Sequence, residues 1–167
     1  MKVTPAASLS RYLSLKTRTG RQTSPTNYLV NGAACVSADD LIGLSGLLPQ
    51  VRKKTGLITD SLRLCRRLEL LVMFFQESQP QGDTPERREI AFVLYYFLKG
   101  YDLIPDSIPE IGLLDDALLV ETVFCRNQYA LESHWAAQRR PWPENPRSAR
   151  PDGLVHPERV SRRPRPR

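Results

Sequence analysis

From Ile90 to Leu98 the chain reads Ile-Ala-Phe-Val-Leu-Tyr-Tyr-Phe-Leu, nine residues without a charge or an amide. No other stretch restricts the fold as much. Upstream, Thr84 is placed to cap a helix. Pro85 takes the first helical position, and Glu86 and Glu89 fall in the opening turns. Lys99-Gly100 supplies a stop. A helix from about 85 to 98 is therefore expected, apolar on every side. Such a helix is stable in water only at the centre of a bundle, or against a partner or a bilayer. It is far shorter than the roughly 20 residues that span a membrane. No run of 18 or more apolar residues occurs in the chain.

Further helices can be read around it. Ser37-Ala38-Asp39-Asp40 resembles a capping box, with Asp40 in the place of the usual Glu. Leu41, Leu44, Leu48 and Val51 follow at helical spacing, and Arg52, Lys53 and Lys54 suit a C-terminal end before Gly56. Gly43, Gly46 and Pro49 predict that this helix is short or broken. Asp60–Ser78 predicts a stronger one, capped by Thr59 or Asp60, with Leu64, Leu68, Leu71 and Phe75 as its stripe. Arg63, Arg66 and Arg67 mark a polar face in its first half. A last helix is expected from Leu113 to about Trp135. Its apolar face comprises Leu113, Ala117, Val120, Phe124 and Leu131, widened by Leu114, Leu118, Cys125 and Tyr129. Asp115 falls on the opposite side. Glu121 interrupts the apolar face and either reaches out to solvent or meets a basic partner. The fold class expected is all-α, a small bundle of three to four helices centred on a helical hairpin.

The turn of that hairpin, Tyr101-Asp-Leu-Ile-Pro-Asp-Ser-Ile-Pro-Glu-Ile-Gly-Leu-Leu-Asp-Asp116, is rich in both proline and aspartate. Ile104 and Ile108 each precede a proline and are driven toward extended geometry, which sets two stiff kinks. Leu103, Ile104, Ile108 and Ile111 need burial, so a packed corner is expected. The acids have structural uses. Asp102 and Asp106 suit loop amides, and Asp115 and Asp116 suit the positive end of the following helix. If the loop doubles back, Asp102, Asp106, Asp115 and Asp116 would instead converge as hard oxygen ligands for Mg²⁺ or Ca²⁺. The calcium-loop pattern of EF-hands does not fit, because Ser107 stands where glycine is needed and Leu113 where a glutamate is. No nucleophile, histidine or phosphate-cradling glycine loop stands nearby, and no catalytic constellation is recognised.

The string from Tyr95 to Val120 closely resembles the signature of the YkvA-like domain of unknown function. Asp102, Leu103, Ile104, Pro105, Asp106, Ile108, Pro109, Gly112, Asp115 and Asp116 carry the match, which reaches more weakly over about 60–135. The resemblance implies a small helical module without established activity, often predicted to be membrane-associated because its hairpin helices are very apolar. Glu86-Arg87-Arg88-Glu89, Lys99, Glu121 and Arg126 depart from that pattern. Charges near a bilayer centre cost at least about 2.5 kcal/mol each. A spanning hairpin is therefore disfavoured, and interfacial attachment remains compatible.

Charge divides the chain into three. Residues 1–38 hold five Lys/Arg and no acid, 39–138 hold ten bases against fifteen acids, and 139–167 hold nine Arg against three acids. The expected organisation is a basic, disordered arm over 1–36, a helical domain over 37–138 and an Arg/Pro-rich disordered tail over 139–167. Arg162, Arg163, Arg165 and Arg167 are the candidate anion-binding residues, for nucleic acid or an anionic surface. Trp142 is the lone candidate for stacking on a base. Cys35, Cys65 and Cys125 are isolated and suit a reducing compartment. A Ser/Thr/Arg-rich, acid-free start is also compatible with a transit peptide. The location expected is cytoplasmic, with membrane association open, and not secreted. The function expected is a non-catalytic interaction module with a protein partner or self-association. Binding through the basic tails and a divalent-cation site at the acidic turn are the alternatives.

Overall fold

A computed structural model describes residues 7–19, 24–99 and 113–144. Its centre is the helix that the apolar run predicts, α5 (Pro85–Lys99), begun by Thr84, whose Oγ1 accepts the Arg87 N–H at 3.3 Å. Every residue from Ile90 to Phe97 is buried. Its neighbours are α2 (Pro25–Ala33), α3 (Ala38–Thr55), α4 (Leu62–Glu77) and α6 (Leu114–Arg126), so the chain covers its own apolar helix on all sides. α1 (Ala7–Thr19) lies on α2, a single 3₁₀ turn at Gln79–Gln81 links α4 to α5, and α7 (Gln128–Ala137) follows α6. The described residues are all-α without a strand, and their seven α-helices exceed the three to four expected.

Two of the additional helices, α1 and α2, come from the N-terminal part, where a disordered arm was expected over 1–36. Ser24 caps α2 by accepting the Asn27 N–H at 3.2 Å, and Pro25 follows in the first turn. Leu9, Leu13, Tyr28, Leu29, Ala33 and Val36 are all buried in the common core. Short apolar pairs with no long periodicity suffice because α5 supplies the rest of the surface. Each such side chain contributes about 1.5–3 kcal/mol on full burial. Arg11 stands on the outside of α1.

α3 forms with its capping box complete: Asp40 N–H bonds Ser37 Oγ at 3.2 Å, and Ser37 N–H bonds Asp40 Oδ2 at 2.9 Å. It is one continuous helix of 18 residues, and Pro49 does not break it. Proline costs an interior hydrogen bond, and here Leu44, Leu47, Leu48 and Val51, all buried on either side of Pro49, offset that loss. α4 is capped by Ser61, not Thr59 or Asp60. The last helix divides at Asn127. The side-chain amide of Asn127 donates to the Val123 carbonyl at 3.0 Å and to Glu89 at 2.9 Å, a local competition with the helix ladder.

α6 is also rotated from its expected setting. Leu113, Ala117, Val120 and Phe124 face inward as predicted, joined by Leu119 and Val123. Leu114, Leu118 and Tyr129 are exposed at 60%, 50% and 84%, while Asp115 and Asp116 are buried. Beyond α7, Arg139 adopts φ 55°. Arg139 N–H reaches Ala136 C=O at 2.9 Å and Arg140 N–H reaches Trp135 C=O at 3.0 Å. This is a Schellman turn with arginine in the position glycine usually fills. It sends the chain back across the bundle. The Trp142 ring lies 5.7 Å from Trp135 and 5.9 Å from Phe124, so it is packed instead of offered to a base. The tail expected from 139 is thus docked as far as Glu144, and 145–167 lie outside the described residues.

Candidate functional site

The residues of the acidic corner that fall within the described structure meet at the base of the α5–α6 hairpin. Asp115 and Asp116 occupy the first turn of α6, at 9% and 1% exposure. Tyr96, buried one turn before the end of α5, donates its hydroxyl to Asp115 Oδ2 at 2.6 Å. The other oxygen of Asp115 accepts the Asp116 N–H at 3.1 Å. A phenol and a helix-start amide thus hold one carboxylate, the short O–H···O⁻ contact being of the stronger, charge-assisted kind.

An aromatic shell surrounds this clasp. Tyr28 of α2 packs edge-on against Tyr96 at 5.9 Å and against Phe92 at 5.4 Å. Tyr12 of α1 stacks on Tyr28 at 5.5 Å and donates to the Tyr28 carbonyl at 3.1 Å. Burial, reinforced by Tyr12 and the charge of Asp115, pushes the Tyr28 phenol well above its ordinary range. The Tyr28 phenol therefore stays neutral. On the facing side Lys54 of α3 donates to the Phe97 carbonyl at 2.6 Å and sits 4.6 Å from the Phe97 ring centre. A cation at the C-terminal end of α5 complements the helix dipole. Both limbs of the hairpin are consequently tied at its turn end, α5 by Lys54 and α6 by Tyr96.

Of the residues singled out by sequence, Asp115 and Asp116 come together here. Asp102, Pro105, Asp106, Pro109 and Gly112 lie outside the described residues, as do Arg162, Arg163, Arg165 and Arg167. Among the described residues no group of three or more His, Cys, Asp or Glu is disposed to hold a metal ion. Nor is any described helix long and apolar enough to cross a membrane. Tyr96 as the partner of Asp115 was missed. The available signal was a pair of tyrosines inside an otherwise aliphatic and phenylalanine-rich run, since a buried hydroxyl needs an acceptor.

Two charged clusters also depart from expectation. Arg67, placed on a polar face by its spacing, is 7% exposed and lies 4.2 Å from the Phe124 ring centre. It pairs with Glu121 and bonds Glu144 at 3.1 Å, while Arg63 reaches Glu121 at 3.0 Å. Glu121 meets a basic partner after all, and that partner is in the same chain. Burial raises the carboxyl of Glu121, but Arg67 and Arg63 outweigh it and hold it below its ordinary value. At the far end of α4, Glu77 pairs with Arg140 and bonds His134 at 3.0 Å. Arg140 dominates there and draws the Glu77 carboxyl down to about 2. These pairs pin residues 139–144 to the bundle.

Fold and site together define an all-α protein built on a buried helical hairpin with a tyrosine–aspartate clasp at its turn. Residues 87–121 match the model of the family described as "Protein of unknown function (DUF1232)". The match runs from the first turn of α5 to Glu121 and includes Tyr96, Asp115 and Asp116, as the resemblance in the sequence implied, over a narrower span than 60–135. No curated protein and no solved structure matches the chain.

Proposed function

We propose that this chain is a non-catalytic helical interaction module, with the clasp serving as architecture and the outer face of α6 serving as the contact surface. The observation that carries this reading is the burial of Asp115 and Asp116 beside the exposure of Leu114 and Leu118. Asp115 and Asp116 are turned into the fold, and Leu114 and Leu118, between which they lie, are turned outward. Leu114 and Leu118 are one turn apart on the same face, and Leu62, 85% exposed, precedes the Arg63 that reaches Glu121. Exposed apolar side chains on one helix face support self-association or attachment to a protein or a membrane surface.

Sedimentation velocity over a concentration series tests the surface. Wild type self-associates, and Leu114→Glu/Leu118→Glu is monomeric with an unchanged far-UV spectrum. Flotation with neutral and anionic vesicles distinguishes membrane attachment. Monomeric wild type that stays with the soluble fraction in both lipids would remove the surface from consideration. A second reading, binding of nucleic acid or another anionic surface by the tail, is supported by nine Arg against three acids in 139–167. It predicts binding that weakens steeply with salt and disappears on truncation after Glu144.

A further inference from the structure

The two buried arginines differ in what compensates them. Arg67 has carboxylates on both sides. Arg87 is buried more deeply, at 3% exposure, and among the described residues no carboxylate bonds to it. Its Nη1 donates to the Phe75 carbonyl at 3.1 Å and to Ser78 Oγ at 3.2 Å, both neutral oxygens, and its Nε is buried without an acceptor. Asp83, the acid whose charge reaches Arg87, is held by Arg88 through two contacts of 2.6 Å. Phe75 and Ser78 end α4, so Arg87 anchors the first turn of α5 to the negative end of that helix. That anchoring uses one corner of the guanidinium. It leaves a desolvated cation short of negative charge, which is costly.

Arg87 also lines a groove of about 280 Å³ between α3 and the 3₁₀ turn. Ala38, Leu41 and Ile42 give it an apolar wall, while Ser45, Gln79 and Asp83 are its polar members. Ala38, Ile42, Gln79 and Asp83 are exposed, so the groove opens to solvent. Apolar lining with a few placed polar groups is the usual composition of a small-molecule site, and the charged members here are Arg87 and Asp83, the latter paired with Arg88. We propose that this groove binds a small carboxylate with an apolar body, its carboxylate on Arg87 and its carbon chain against Leu41 and Ile42. A carboxylate oxygen can take a charge-assisted hydrogen bond from the edge of the guanidinium that Phe75 and Ser78 leave unused. A phosphate dianion is more strongly hydrated, so the apolar wall disfavours it, and its double charge meets more repulsion from Asp83 than a carboxylate does.

The test is an amide-resolved NMR titration of the full chain with hexanoate, hexanol and inorganic phosphate. Hexanoate shifts the signals of Ser45, Gln79 and Arg87 and binds about ten-fold more tightly than hexanol, the value of a single charge-assisted contact. Phosphate leaves these signals in place. Arg87→Met abolishes the preference for the acid over the alcohol. Because that change also removes the α4 anchor, Ala38→Phe is the second variant. It fills the groove from an exposed position, keeps Arg87, and eliminates the hexanoate shifts while the melting temperature holds. Equal binding of hexanoate and hexanol, shifts centred on Leu114 and Leu118, stronger binding of phosphate, or full binding by Ala38→Phe would each overturn the proposal.

Discussion

Gly32 decides whether the N-terminal helices are part of the domain. It lies in α2, buried, against the face of α5. A methyl group added there would overlap Cε2 and Cζ of Phe92, with Cδ2 only 2.6 Å away. Phe92 has no room to retreat: it is 0% exposed and packed by Tyr12, Tyr28 and Tyr96. Two effects then compete in Gly32→Ala. Helix propensity favours alanine over glycine by about 1 kcal/mol. Overpacking a dense core costs about 1–3 kcal/mol, because α2 must lift or the ring must leave its rotamer. The overlap with Phe92 is deep enough to place that cost in the upper part of its range, about 2–3 kcal/mol, so Gly32→Ala should lower stability by about 1–2 kcal/mol, or roughly 2–8 °C for a chain of this size. Thermal and urea unfolding measure it. Phe92→Leu makes room, so in the double variant the added methyl should cost less than in wild type, a coupling that a double-mutant cycle reads directly. If Gly32→Ala raises the melting temperature, only helix propensity is operating. α2 would then not be packed on α5, and the N-terminal helices would stand apart from the core.

Tyr96→Phe removes the donor to a buried carboxylate and should cost about 1–3 kcal/mol in urea unfolding, with no effect if the clasp does not form. Arg139→Gly relieves a left-handed residue and should stabilise by about 1 kcal/mol, provided the turn that docks Trp142 exists; a loss of stability would contradict that turn. The Glu77 carboxyl is depressed in the folded state from 4.5 to about 2. Its contribution is therefore present above pH 4.5 and is lost as the pH falls through the interval down to about 2. Glu77→Gln should flatten the acid limb of stability against pH in that window, and identical limbs would rule out the Arg140 pairing. If the aspartates are architectural, Mg²⁺ and Ca²⁺ leave the melting curve unchanged. A rise of the size expected for ligand at 100 times its dissociation constant, about 2.7 kcal/mol, would favour the cation site instead.

Much of the hairpin was legible because its signals are local. Thr84-Pro85, the capping box of Ser37 and Asp40 and the apolar run at 90–98 each specify backbone hydrogen bonds within a few residues, and they form as read. α2 was legible in principle, since Ser24-Pro25 is an N-cap followed by proline at the first turn, but nine residues are too few for periodicity to stand out. The clasp was half legible: spacing placed Asp115 and Asp116 at a helix start, whereas the hydroxyl that holds Asp115 comes from 19 residues earlier.

By itself the sequence determined the all-α class, the central helix and the acidic start of α6, because caps, prolines and unbroken apolar surface act through neighbouring residues. Only the tertiary structure decided which face of α6 turns inward, that Arg67 and Arg87 are buried, and that α1, α2 and Trp142 join the core. Those outcomes depend on partners far apart in the chain. A guanidinium reads as surface until Glu144 or the end of α4 is brought against it, and a short helix reads as an arm until α5 presents the apolar surface on which it settles.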